Sequence, residues 1–212
     1  MNWCGDMDEK MKTGTTTVGI VCKEGVVLAS DTKATMGYLV ASKEAQKIYQ
    51  VDDKISITTA GGSGDTQAII RMLMAEIKLY KLSRESEFSV KACATLLANI
   101  LQSNRYYPLM AMLLIGGADR SGYHLYSIDP VGGFEEEKYA STGSGSPIAY
   151  GVLEDNYKDD MTLEEALRIV IRSIRSSRER DIFSGGDIEA VIINQNGVRK
   201  VEQEKIKKII AA

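Results

Sequence analysis

Three consecutive threonines, Thr15 to Thr17, follow Gly14 in the stretch KTGTTTVGIV near the start of the chain. A threonine hydroxyl is a weak nucleophile and needs a base beside it. The sequence holds one histidine, His124, inside the strand-like run YHLYS, where a structural role fits better than proton transfer. A chain cut just before a threonine supplies a base in another way. The freed α-amine, with a pKa of about 8 in model peptides, can serve that residue's own hydroxyl. Gly14 suits the acyl side of a self-cleaving turn, because a residue without Cβ tolerates unusual dihedrals. The competing reading is that Thr15 to Thr17 simply begin a β-strand, which threonine favours.

Charged and small residues elsewhere bear on that choice. Lys47 interrupts the β-type run QKIYQV, and Asp31 ends VVLASD. A lysine held near the nucleophile favours deprotonation of hydroxyl and amine, and a carboxylate keeps that lysine charged and oriented. Otherwise Lys47 is an edge-strand guard against aggregation. Asp181 and Ser184 in RDIFSGG, and Ser144 in STGSGS, are suited to hydrogen-bonding an amine and relaying protons. The glycine-rich AGGSGD before a helix invites a phosphate-site reading. No Gly-Lys-Ser/Thr follows it, however, and no dinucleotide fingerprint fits. It also reads as a tight strand-to-helix turn, or as a row of N–H groups facing a developing oxyanion. Together these small-residue clusters suggest a site built from several loops.

The elements that must position these residues follow from periodicity. TTTVGIVCK and GVVLASDT read as a hairpin, and QKIYQV with KISITTAGG as a second pair across two aspartates. A helix follows, with Ile69, Met72, Leu73, Ile77 and Tyr80 at helical spacing and Ser63 or Asp65 as its cap. A second helix carries Val90, Cys93, Leu97 and Leu101 on one side. LMAMLLIGGA, YHLYSIDP and FEEEKYAS read as three strands. Thr162 and Glu165 form a capping box for a helix over residues 162–180, with Leu163, Leu167, Val170 and Ile174 on one face. IEAVIINQNGVRKVE is a hairpin across its Gln-Asn-Gly, and QEKIKKIIA a final helix. Helices do not alternate singly with strands, so antiparallel sheets with helices grouped on their outer faces fit better than a doubly wound parallel sheet.

The chain has 212 residues and a net charge of −3, which gives no reason to expect nucleic acid or an anionic membrane as partner. Three scattered cysteines suggest neither a disulfide framework nor a metal site. The polar head, residues 1–14, lacks the apolar stretch of a secretion signal, and no segment is long and apolar enough to span a bilayer. An intracellular protein is expected, with the head a tag, a tail or a removed segment.

Taken in order, GTTTVGI, ASDTKAT, the lysine in AQKIYQ, TAGGSGD, YASTGSGS, YGVLE and RDIFSGGDI resemble the proteasome β-subunit family, archaeal type. The resemblance runs from Gly14 to about residue 200. It implies an α+β fold, the four-layer α-β-β-α sandwich of N-terminal-nucleophile hydrolases, with two antiparallel sheets. It also implies a threonine endopeptidase that cleaves unfolded polypeptides inside a ring-shaped chamber. Residues 1–14 would be a propeptide removed by autolysis after Gly14, and residues 15–212 one catalytic domain. Thr15 would be the nucleophile, with Asp31 and Lys47 as the acid and lysine beside it. Ser144, Asp181 and Ser184 would hold the new amine, and Gly61 would be the oxyanion donor. Ala34, Ala45, Thr59 and Ser63 would line a specificity pocket that is mostly small and uncharged, suited to large apolar side chains. Lys33 stands where the family usually has arginine. The implied partners are α subunits, other β subunits in seven-membered rings and an unfolding ATPase, in the cytoplasm, with no cofactor or metal. An inactive ring subunit and a small-molecule amidohydrolase of the same nucleophile type are the alternatives.

Overall fold

A computed structural model describes residues 14–84 and 86–211. Strands β1 (Thr17–Cys22) and β2 (Gly25–Asp31) form the first hairpin, turning at Lys23 and Glu24. The chain continues through β3 (Ala34–Met36), β4 (Leu39–Ser42), β5 (Ile48–Asp52) and β6 (Ile55–Gly61) into helices α1 (Ser63–Arg84) and α2 (Val90–Ser103). Next come β7 (Ala111–Asp119), β8 (Gly122–Ile128), β9 (Phe134–Glu136) and β10 (Tyr139–Thr142). Helices α3 (Ser146–Asn156) and α4 (Leu163–Arg180), strands β11 (Ile188–Asn194) and β12 (Gly197–Lys200), and α5 (Gln203–Ala211) complete it.

The strands form two five-stranded antiparallel sheets, ordered β10-β1-β2-β11-β12 and β5-β6-β7-β8-β9, with β3 and β4 as a separate pair. Both faces of β2 are apolar because both are buried. Val26 and Leu28 meet Ile48, Leu114 and Leu125 of the opposite sheet. Val27 and Ala29, one residue out of phase, join Val18 and Ile20 beneath α3, α4 and α5. Ile55, Ile57, Leu113 and Ile115 turn outward from the second sheet to pack on α1 and α2. The result is the expected four layers, helix–sheet–sheet–helix.

The capping box of α4 is present. The Glu165 carboxylate accepts from Thr162 N at 2.7 Å, and Glu165 N donates to Thr162 Oγ1 at 3.3 Å. Leu167, Val170 and Ile174 are fully buried along its inner face.

Several local readings differ from the structure. FEEEKYAS is two strands, not one: β9 pairs with β8, and β10 pairs with β1 in the other sheet. Alternation reports which residues are buried, not which sheet buries them, so it gave no sign of this crossing. Residues 146–156 form α3, which carries Pro147 in its first turn and Gly151 within it, both breaker signals inside a sequence that is only weakly amphipathic. Proline is tolerated in the first turn, where its missing N–H has no intrahelical partner to lose. The short β3–β4 pair was not expected either. On α1 the buried residues are Thr66, Ile69, Ile70, Leu73 and Ile77, while Met72 and Tyr80 face outward. Asp65 serves the neighbouring segment, accepting from Met110 N at 2.9 Å. Among the described residues no helix is long and apolar enough to cross a membrane.

Candidate active site

The first strand begins at Thr17, so Thr15 and Thr16 lead into its N-terminal end, between β10 and β2. Thr17 spends its hydroxyl on structure, bonding Thr142 Oγ1 at 2.7 Å and accepting from Thr58 of the other sheet at 3.0 Å. Thr15 is different. Its Oγ1 donates to Gly14 O at 2.6 Å, and its N donates to Ser144 Oγ at 3.4 Å. The expected propeptide lies outside the described residues except for Gly14. A Cβ on Gly14 would run into Phe183, so crowding gives that position a reason to be glycine in addition to backbone freedom.

Asp31, the last residue of β2, is 0% exposed, and its carboxylate is surrounded by donors. Oδ1 accepts from Thr16 N at 2.9 Å and from Lys47 Nζ at 2.8 Å. Oδ2 accepts from Gly185 N at 2.8 Å and Lys33 N at 3.2 Å. A buried carboxylate is tolerable when its lone pairs are filled in this way. Lys47, just before β5, is also buried. Its Nζ reaches Lys33 O at 2.6 Å and Gly14 O at 3.4 Å besides Asp31. Burial pulls the Lys47 ammonium below the usual lysine pKa, and the Asp31 charge and hydrogen bond pull the other way.

The third cluster lies past α4. Asp181 Oδ2 accepts from Ser144 Oγ and from Ser184 Oγ, each at 2.6 Å. Its Oδ1 accepts from Phe183 N at 3.2 Å, which holds the carboxyl in its own turn. Gly143 has φ +94°, and a Cβ there would strike Thr15 O, so only glycine lets this turn close on the threonine.

A cleft of about 670 Å³ opens in front of Thr15 and Lys47. Ala34, Ala45, Thr59, Ser63 and Gly61 all line it, as do Gly14, Thr15 and Lys47. Gly61 ends β6 at φ +137°, with Met110 O where a side chain would begin. Sequence reasoning missed Met36, Tyr49, Gln67, Ile70 and Arg71 in the lining. Spacing could have found most of them. Tyr49 is two residues from Lys47 along an extended chain, and Gln67, Ile70 and Arg71 follow Ser63 on one helical face. Arg71 makes the lining less neutral than the four small positions suggest. Lys33 donates from Nζ to Ile182 O at 2.7 Å, a link to the 181–185 loop that uses a carbonyl and not an ion pair. His124 stays apart, bonded to Ser121 and Glu136.

The structure therefore brings Gly14, Thr15, Asp31, Lys47, Ser144, Asp181 and Ser184 into one bonded cluster, with Gly61 and the pocket positions facing the same cleft. Residues 11–193 match the proteasome subunit family. The chain belongs to that family. A proteasome subunit beta of Methanosarcina barkeri is 50% identical over 208 residues, 98% of this chain and 98% of that protein. One from Methanocaldococcus fervens is 52% identical over 199 residues, 93% of this chain and 89% of that protein. A third, from Methanocaldococcus jannaschii, is 50% identical with the same coverage of both chains, 93% and 89%. Within the proteasome family the chain is thus a subunit of β type.

Proposed function

We propose that this β subunit is a threonine endopeptidase that frees its own nucleophile. The carrying observation is the convergence on one carbonyl: Thr15 Oγ1 and Lys47 Nζ both contact Gly14 O, while Ser144 faces Thr15 N. In the first step Thr15 Oγ1 attacks the Gly14 carbonyl carbon. The Gly14–Thr15 amide bond breaks, its nitrogen takes a proton, and an ester joins Gly14 to Thr15 Oγ1. Water hydrolyses that ester, releasing residues 1–14 with a new carboxylate and leaving Thr15 with a free amine.

In the mature enzyme the amine takes the Thr15 hydroxyl proton, directly or through water, as the oxygen attacks a substrate carbonyl. Lys47, kept charged by Asp31, lowers the cost of forming the alkoxide. The Gly61 N–H donates to the tetrahedral oxyanion, a contribution of about 3–4 kcal/mol for donors of this kind. The leaving amine takes the proton, and water then cleaves the acyl ester. No metal, nucleotide or other cofactor takes part in these steps.

Assembly completes this reading. The subunit works in seven-membered β rings enclosed by α subunits, in the cytoplasm, on unfolded chains fed by an ATPase. Particles assembled with α subunits are expected to hydrolyse fluorogenic peptides and unfolded protein, and Thr15→Ala particles to hydrolyse neither. Hydrolysis surviving Thr15→Ala removes Thr15 as nucleophile. Inactive wild-type particles favour a purely structural ring subunit, and cleavage of small amides alone favours an amidohydrolase.

A further inference from the structure

Thr16 is 0% exposed, and its hydroxyl lies 2.6 Å from Ser184 Oγ. A hydroxyl has one proton to give, and an ionised carboxylate only accepts. Ser184 places its proton on Asp181 Oδ2 at 2.6 Å. The Thr16–Ser184 contact then has one direction, Thr16 donating to a lone pair of Ser184. Ser144 places its proton on the same Asp181 oxygen. The chain of bonds runs from Thr16 to Ser184 to Asp181, with Ser144 arriving from the other side.

We propose that Thr16 is a positioning residue of the active site: by donating to Ser184, its hydroxyl strengthens the hydrogen bond that Ser184 gives Asp181 and so sets how much of that carboxylate is left to Ser144 beside the Thr15 nitrogen. This rests on the reading of Thr15 as nucleophile. Asp181 takes two hydroxyls on Oδ2 and the Phe183 N–H on Oδ1, and the hydrogen-bonded route from it to the Thr15 nitrogen runs through Ser144. Thr16 is 0% and Ser184 2% exposed, so bulk water does not compete for the bond between them, whereas Asp181 is half-buried and Ser144 exposed. Thr16 also donates its backbone N–H to Oδ1 of the buried Asp31 at 2.9 Å, so one residue is bonded to Asp31 directly and to the half-buried Asp181 through Ser184. Gly145 leaves the room this needs, since a Cβ there would strike Thr16 Oγ1. The charged groups around the amine are Asp181 through Ser144, Asp31 and Lys47 across Gly14 O, and Lys33 on Ile182 O.

The test uses chains expressed from Thr15, so that no self-cleavage is required, assembled with their α subunits. The variants are Thr16→Val, which keeps shape and removes the hydroxyl, and Thr16→Ser, which keeps the hydroxyl. Thr16→Val is expected to lower kcat on a fluorogenic peptide about three- to tenfold, the usual worth of one hydrogen bond, with KM within about twofold. The acidic limb of its pH–rate profile moves to higher pH, because Ser184, no longer accepting from Thr16, donates more weakly to Asp181 and leaves more carboxylate charge to hold the protonated amine. Thr16→Ser restores both rate and limb. In a Ser184→Ala background Thr16→Val has little further effect, since its partner is already gone. If Thr16→Val does not assemble, Thr16→Ala gives the same readings without added bulk. Wild-type kcat and limb without the hydroxyl, or Thr16→Ser as impaired as Thr16→Val, overturn the proposal. The Thr15→Ala control keeps the two ideas apart. Its activity surviving removes the nucleophile reading, whereas a dead Thr15→Ala beside an unaffected Thr16→Val removes Thr16 alone.

Discussion

At the scale of single residues the site depends on two charges held away from water. Asp31 takes four donors and Lys47 leans on it at 2.8 Å. Removing one partner of such a pair leaves the other charged and dry. Asp31→Asn is therefore expected to destabilise the protein by about 3–5 kcal/mol in denaturant unfolding. The exposed pair of Lys23 and Asp160, 3.7 Å apart, offers the contrast, and Lys23→Ala should change stability by less than about 0.5 kcal/mol. Equal effects at the two sites would show that the buried pair is not special. Lys47 also sets a pH dependence. Its folded pKa lies below 10.5, so the rate should fall with rising pH before the ordinary lysine range is reached. Stability moves the other way for this group. Between its folded pKa and 10.5 the unfolded chain binds more protons, so the burial penalty is relieved as pH climbs through that window. A pH series of kcat/KM and melting temperature reads both signs. These residues were legible in the sequence because charges and hydroxyls stand out within apolar runs. Thr16 was not, since nothing in a row of threonines says which hydroxyl turns inward to a distant serine.

Elements place those residues by ending at the right points. β2 ends on Asp31, β6 ends on Gly61, and α4 ends just before Asp181. Gly61 is the most constrained of these ends, with φ +137° and Met110 O occupying the space of a side chain. Gly61→Ala is expected to lower stability by about 1–3 kcal/mol and to cut activity as the turn shifts away from the cleft. Gly64, in the first turn of α1 with open space around it, is the control: Gly64→Ala should leave stability unchanged or raise it by up to about 1 kcal/mol. Comparable losses in both variants would mean that backbone strain is not what selects glycine at residue 61. The helix with a capping box and a clean apolar stripe, α4, could be read from sequence to its first residue. α3 could not, because Ala149 and Leu153 are its only fully buried residues and Pro147 and Gly151 look like turn signals. The split of FEEEKYAS into β9 and β10 was hidden for a different reason. Strand pairing depends on distant residues, and local alternation is the same whichever sheet receives the strand.

Across the whole molecule the site straddles the two sheets. Thr15 and Asp31 belong with the β1–β2 sheet, while Lys47, Thr59 and Gly61 belong with the β5–β6 sheet. The layer between them, including Leu28, Leu114 and Leu125, therefore sets the distance from lysine to threonine. Leu114→Ala, at a fully buried position, should lower stability by about 2–5 kcal/mol through the cavity it leaves. It should also lower kcat more than KM, since it loosens the two halves of the site without touching the cleft lining. An unchanged kcat in a measurably destabilised variant would uncouple the sheet packing from the chemistry. The layer order was legible because helices cluster between runs of strands. The assembly that the fold serves is written on outer surfaces, where a single chain does not say which face meets a partner. In the proposed chemistry one residue supplies both the attacking oxygen and, from its own freed end, the base. Intact mass of the chain taken from peptide-hydrolysing particles tests it most directly. The expected mass is that of a chain that has lost residues 1–14 and begins at Thr15. Working particles whose chains still carry Gly14, or begin at Thr16, would contradict it.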